Sequence, residues 1–175
     1  MRWATFGLVL YVVMVLHTAA APFVAVNGIR PNLLAILAVY VALAARSQDA
    51  LLACWVVGMA TDLCSQSYRG HGNVGVNALA LGLVGLGIVK VREYTFRDSV
   101  VTHLVFTFGA TLLLSMAVGA HLCWVRDDWD PFGRAVAASI YAAIYTGVLA
   151  PYGHWCLHKL RGLMGIGTSH RLRVQ

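Results

Sequence analysis

Apolar residues run along this chain in six long stretches separated by short polar segments. The stretches cover residues 3–26, 33–45, 50–64, 75–89, 100–124 and 135–157, and a basic tail over 159–175 follows them. Period-two alternation is absent and Leu, Ala, Val and Gly dominate. The pattern therefore predicts helices, in which every backbone amide is satisfied inside its own segment. A helix rises about 1.5 Å per residue and a bilayer's hydrocarbon layer is about 30 Å thick, so each stretch reads as one crossing. The second and third are short, about 20 Å at that rise, so flanking residues complete them or the bilayer thins around them. The expected fold is all-α: a six-transmembrane-helix bundle over residues 1–158, in one domain.

Composition strengthens that picture. Hydrophobic residues make up 59% of the 175-residue chain and charged residues 11%, where a soluble domain carries about a quarter. No length remains for a separate soluble catalytic domain. The Lys and Arg residues are unevenly distributed among the predicted loops. Arg2, Arg46, Lys90, Arg92, Arg97, Lys159, Arg161, Arg171 and Arg173 fall on one side, against Arg30, Arg69, Arg126 and Arg134 on the other. Retention of cations on the cytoplasmic side puts both termini inside. The net charge of +6 then reads as topology and attraction to anionic lipid, and no motif accompanies it that would read nucleic acid. The apolar run after Met1-Arg2 continues past Ala19-Ala20-Ala21 to Val26, longer than a cleavable signal needs, so a retained signal anchor is expected.

Lipid removes most of the hydrophobic drive between helices, so close packing through small residues has to supply association. In the sixth stretch Ala135, Ser139, Ala143 and Gly147 recur every fourth residue on one helical face, and Pro151 ends the row. The fourth has Ala78, Gly82, Gly85 and Gly87. Each stripe serves contact inside the bundle or docking of another membrane protein. Trp3, Trp124, Trp129, Tyr152 and Trp155 fall near predicted span ends, as interfacial anchors do. Cys54, Cys64, Cys123 and Cys156 form no Cys-x-x-Cys pair and read as apolar fillers, with Cys64 and Cys123 both near the outer surface, where an oxidising compartment could join them.

Six of the seven acidic residues lie in loops or at span ends, and Asp62 is the exception, closing an uncharged run from Ala50 to Thr61. A carboxylate there needs a partner. Arg30, Arg69, His71 and Asn77 are expected at the same end. Asp62 belongs either to a polar cluster that recognises a ligand at the outer mouth, or to a helix end whose carboxylate accepts amides of the glycine-rich loop Arg69–Gly75; the loop's need for acceptors favours the second. Arg126-Asp127-Asp128-Trp129-Asp130 has no second acidic motif to complete a magnesium-pyrophosphate site and reads as a solvated loop. His154 and His158 are one helical turn apart, without the glutamate of a zincin helix, and are expected against anionic headgroups beside Lys159 and Arg161. Convergence of Cys64, His71, His121 and Cys123 on a metal is disfavoured. No nucleophile elbow, phosphate loop, dinucleotide fingerprint or heme attachment site is present, so neither catalysis nor a cofactor or metal has residue-level support.

From the second stretch onward the order RPNLLAILAVYVAL, GMATDL, polar loop, GVNALALGLVG resembles the rod shape-determining protein MreD family. The correspondence covers about residues 28 to 90 and falls on Arg30, Pro31, Asn32, Gly58, Asp62, Leu63, Gly75, Asn77, Ala78 and Leu79. The loop after Asp62 is longer than the family's and carries Tyr68, Arg69 and His71. The resemblance implies a noncatalytic scaffold of the cell-elongation machinery in the bacterial inner membrane, without a cofactor. Its implied partner is an MreC-like bitopic protein, in a system with MreB, RodA and a class B penicillin-binding protein. It also implies a bundle like the substrate-binding subunits of energy-coupling factor transporters. That likeness supplies the chief rival function, a small-ligand binding component with Asp62, Arg30, Asn77 and Arg69 lining an outer pocket. An enzyme acting on a lipid-linked precursor through the aspartates around Trp129 is a third class.

Overall fold

The computed structural model describes residues 1–20, 23–26, 28–69, 75–92 and 100–165, with the backbone alone for 65–69 and 100. Six helices account for nearly all of them: α1 (Trp3–Ala19), α2 (Leu33–Ala44), α3 (Ser47–Arg69), α4 (Val76–Val91), α5 (Val100–Arg126) and α6 (Phe132–Met164). Among the described residues there is no strand, only an isolated bridge between Val26 and Ile29 around the left-handed Gly28.

α2 is the hub and touches each of the other five helices. Every residue from Leu34 to Leu43 is buried, Tyr40 included. A helix that is apolar all round is stable only when it is surrounded, and here the surround is protein. This explains its shortness. Twelve residues rise about 18 Å, shorter than the hydrocarbon layer is thick, but a helix walled off by neighbours has no lipid thickness to match.

Other boundaries differ from the hydropathy pattern. α1 ends at Ala19, ahead of Pro22 in the sequence, whose ring disfavours helical backbone before it. α3 has 23 residues, about 35 Å, so it is not short: hydropathy lost it at residue 64 because polar Ser65, Gln66 and Ser67 follow. α6 passes through Pro151 and runs on to Met164, making the first residues of the expected tail helical. Its left-handed Gly165 closes the end, and the carbonyl of Met164 accepts the Arg2 amide at 2.9 Å.

α5 lies along α6, and α3 along α4, in the two most extensive helix pairings. A stripe of α3 one turn apart, Cys54, Gly58 and Asp62, meets α4. A Cβ on Gly58 would sit 2.5 Å from the Ala78 Cα and 2.6 Å from the Asn77 carbonyl oxygen, and one on Gly85 would sit 2.7 Å from the Cys54 sulfur. On the other pair, Ser139, Ala143 and Gly147 of α6 are buried, with the Gly147 backbone against Phe108 and Leu104 of α5. That stripe is used inside the bundle.

The outward faces are apolar. Leu8 and Tyr11 of α1, Leu52 and Trp55 of α3, Leu79 and Leu83 of α4, Val101 and Leu113 of α5, and Ile144 and Val148 of α6 are all exposed. α5 and α6 are long and apolar enough to cross a membrane. All four cysteines are free, with Cys123 buried and Cys64 half-buried.

Gly58→Ala should lower the melting midpoint sharply, because the added methyl meets backbone that cannot swing away, a cost of about 1–3 kcal/mol. Gly87→Ala, with open space around it, should leave the midpoint unchanged or raise it. Thermal denaturation of the two purified variants checks the contrast; equal midpoints would contradict the close approach of α3 and α4.

Candidate functional site

Asp62 is 1% exposed and lies inside α3, two turns before its end. Its carboxylate faces the start of α4. Oδ2 accepts the amides of Gly75 at 3.0 Å and Ala78 at 3.1 Å. Oδ1 accepts the Asn77 amide at 3.2 Å and the Asn77 side-chain Nδ2 at 2.9 Å. The first amides of a helix have no partner within it, and the aligned peptide dipoles make that end positive. A buried carboxylate answers both needs, and four donors replace its water.

The local sequence is shaped to allow this. Gly75 stands at φ 97°, a backbone conformation that glycine adopts at little cost, and it has no side chain with which to cap α4 itself. Gly58, one turn before Asp62, leaves room for the incoming Asn77-Ala78 backbone. The spacing Gly-x-x-x-Asp followed by Gly-x-Asn-Ala is thus one structural unit: an approach, a cap and the capped turn. Of the two sequence readings of Asp62, this is the helix-end carboxylate, except that the amides belong to the start of α4 and the carboxylate to the body of α3.

The opposite charge is handled in the same way at the other end of α4. Arg92 is buried and its Nη1 donates to the carbonyls of Ala42 at 2.7 Å and Ala45 at 2.5 Å, while Nη2 donates to the Ser47 hydroxyl at 3.1 Å. These carbonyls end α2, where a cation is favoured. Sequence reasoning counted Arg92 only as a loop cation; its position beside Lys90 gave no sign of burial.

At the start of α2, Asn32 caps its own helix by accepting the Ala35 amide at 3.0 Å, and its amide donates to the Thr146 hydroxyl of α6 at 3.1 Å. Pro31 is buried beside it and Arg30 is exposed. Arg30, Pro31 and Asn32 therefore form the entrance to the hub, whereas Asp62, Gly75 and Asn77 form the α3–α4 junction. Ala143 and Gly147 lie on a third contact, α5–α6. The side chain of Arg69, together with Gly70, His71 and Gly72, lies outside the described residues.

His154 corrects an expectation. It is 3% exposed and does not lie at a lipid surface: its Nδ1 is 2.6 Å from Nδ1 of His103, its Nε2 is 3.2 Å from the Ile36 carbonyl oxygen, and its ring meets Tyr40 edge-on at 5.5 Å. His158 is exposed. Gly153 supplies the clearance, with Ile36 packed against its backbone. His103 was missed by sequence reasoning; the signal available was the recurrence of His103, Thr107 and Thr111 every fourth residue in an apolar helix. Among the described residues, no group of three or more His, Cys, Asp or Glu side chains is placed to hold a metal. Asp127, Asp128 and Asp130 are exposed.

The polar groups described so far bind the protein to itself, so kinship bears on function more than chemistry does. The family model for rod shape-determining protein MreD matches residues 1–154. This chain belongs to the MreD family. Comparison with curated proteins returns no match, and neither does comparison with solved structures, so the expected likeness to transporter subunits is without support there. Family membership implies a role in rod shape determination as a structural protein, and with two helices fit to cross a bilayer it describes a membrane-associated protein. The quoted motifs lie inside the matched region, and the geometry gives each a structural task.

Asp62→Leu should fail to accumulate, because three α4 amides and the Asn77 side chain lose their acceptor together, at about 1.5–3 kcal/mol for each bond to a charged group. Asp62→Asn keeps one acceptor oxygen and should fold with a lowered midpoint. Membrane-fraction yield and thermal denaturation measure this; a stable, wild-type-like Asp62→Leu protein would contradict the cap.

Proposed function

We propose that the chain is a noncatalytic, multi-pass scaffold of the bacterial inner membrane, with six spans and both termini in the cytoplasm. It docks an MreC-like bitopic protein and helps position peptidoglycan synthesis during elongation, with RodA and a class B penicillin-binding protein as further neighbours. One observation carries the reading beyond family membership: the buried charges Asp62 and Arg92 are spent on the fold, while nearly every helix turns an apolar face outward. Asp62 accepts the α4 amides and the Asn77 side chain, so neither residue is left to line an outer pocket for a small ligand. A soluble protein rarely exposes contiguous apolar surface on several elements at once. Lipid or the helices of membrane partners are the surroundings that such faces fit.

The six-span topology rests on the same faces. α1, α3 and α4 carry exposed Leu, Val and Trp side chains just as α5 and α6 do, and α2 is enclosed. Anionic lipid fits the cytoplasmic end, where Lys159 stands 3.6 Å from the centre of the Trp155 ring, an aromatic and a cation paired as interfacial anchors often are. Contact with a partner's membrane anchor falls to outward side chains. The row through Ala143 and Gly147 is occupied by α5, which leaves the open side of α4 around Gly87 and the outer side of α1 among the accessible faces.

Depletion in a rod-shaped bacterium should give rounded cells, and pull-down in mild detergent should recover an MreC-like protein through its membrane span. Rod shape retained after clean deletion in the absence of a paralogue, with recovery of that protein at background level, would overturn the proposal. Gly147→Leu should abolish accumulation of the chain, whereas Gly147→Ala, whose methyl meets Phe108 at an ordinary 3.5 Å, should be tolerated.

A further inference from the structure

Between α2, α5 and α6 lies a set of polar groups that helix capping does not use. His103, Thr107 and Thr111 stand on successive turns of one face of α5, with His154 of α6 bonded to His103 and Tyr40 of α2 against His154. Thr107 and Thr111 are 0% exposed and Tyr40 is 3% exposed. None of their three hydroxyl oxygens has a hydrogen-bond partner within the protein. Other helical hydroxyls of this chain settle the matter locally: Thr61 donates to the Val57 carbonyl at 2.9 Å, Ser139 to that of Ala135 at 2.8 Å and Thr18 to that of Met14 at 3.0 Å. Such back-bonding one turn earlier is the usual resort of Ser and Thr in helices. Thr107 and Thr111 forgo it and turn their oxygens into the bundle.

A buried hydroxyl without a partner is costly, and native structures supply either protein or ordered water. We infer that the α2–α5–α6 interior is a hydration site, in which ordered water bonds the hydroxyls of Thr107 and Thr111 beside the His103–His154 pair. The chemistry of the lining selects a neutral ligand. Hydroxyls both donate and accept, as water does, and the described carboxylates are elsewhere: Asp49 pairs with the N-terminal ammonium, Asp62 is spent on α4 and Asp127, Asp128 and Asp130 are exposed beyond the end of α5. A cation would find no counter-charge among these groups.

The histidine pair bounds the site in a defined tautomer. The Ile36 carbonyl can only accept, so Nε2 of His154 carries the hydrogen of that bond; in the neutral ring Nδ1 of His154 then accepts, and Nδ1 of His103 donates. The pair therefore holds α5, α6 and α2 together with one proton between the two Nδ1 atoms. Water fills the hydrogen-bonding needs of the next turns outward.

The test uses the full chain in lipid nanodiscs. Radiolytic hydroxyl labelling with mass spectrometry should modify side chains within residues 103–111 although Thr107 and Thr111 are sealed from bulk, because bound water is the source of the radical. Thr107→Val and Thr111→Val keep the shape and remove the hydroxyl. Each should weaken that labelling and lower the melting midpoint by about 3 °C, while Thr107→Ser should retain both. A dry site gives the opposite result: valine relieves an unpaired hydroxyl, so its variants match or exceed the wild type in midpoint. That outcome overturns the inference. Absence of labelling over 103–111 in the wild-type protein also overturns it, whether or not the variants fold.

Discussion

The constraint on which this structure depends is the need to satisfy helix ends where water is scarce. Each helix leaves its first amides and last carbonyls without partners, and inside an apolar surround every such group carries a free-energy penalty. The bundle answers with buried charge. Asp62 of α3 closes the start of α4, and Arg92 at the end of α4 closes the end of α2. α4 is thus held at both ends by opposite charges, each bonded to backbone, which is also the geometry the helix dipole favours. Removing either side chain would strand buried backbone groups, amides at the start of α4 or carbonyls at the end of α2, so these two residues are structural in the energetic sense.

The same logic accounts for the hub. α2 has apolar side chains on every face, and Ala and Val offer nothing directional with which to set its rotation or height. Its position is set at three levels by polar contacts from elsewhere: Asn32 with Thr146 at the start, the Ile36 carbonyl with His154 in the middle, and the Ala42 and Ala45 carbonyls with Arg92 at the end. Small residues then bring the backbones close. Gly58 and Gly85 do so for α3 and α4, and Gly147 and Gly153 do so where α6 meets α5 and α2.

Much of this was legible along the chain, and what was not has a physical cause. Hydropathy marks where a helix meets lipid, so it found all six helices but truncated α3 at Cys64, where polar side chains begin and the helix does not end. It also cannot tell a helix that faces lipid from one enclosed by protein, since Leu and Ala serve both, so the enclosure of α2 on every side was not legible. Asp62 was legible because an isolated carboxylate in an apolar run demands a partner, and the nearby glycines supplied one. His154 and Arg92 were not. One sits near a run of cations and the other within one, a context that suggests headgroups, and only the placement of α5 and α2 reveals that both are enclosed.

Directional bonds of this kind bear on the scaffold role proposed above. Apolar packing between smooth Leu and Val surfaces resists sliding weakly, whereas a buried carboxylate or guanidinium with several donors or acceptors fixes register, because any shift breaks bonds that the surroundings cannot replace. The bundle therefore presents its outward faces in a set relation to one another, although those faces carry little more than aliphatic and aromatic side chains. A partner helix that docks on such a surface meets a shape already ordered and loses less freedom in binding than it would on one that must first settle. In this reading the polar residues act on partners at a distance. Asp62 and Arg92 touch no neighbour beyond the bundle, yet they decide which side chains α4 turns outward and at what height.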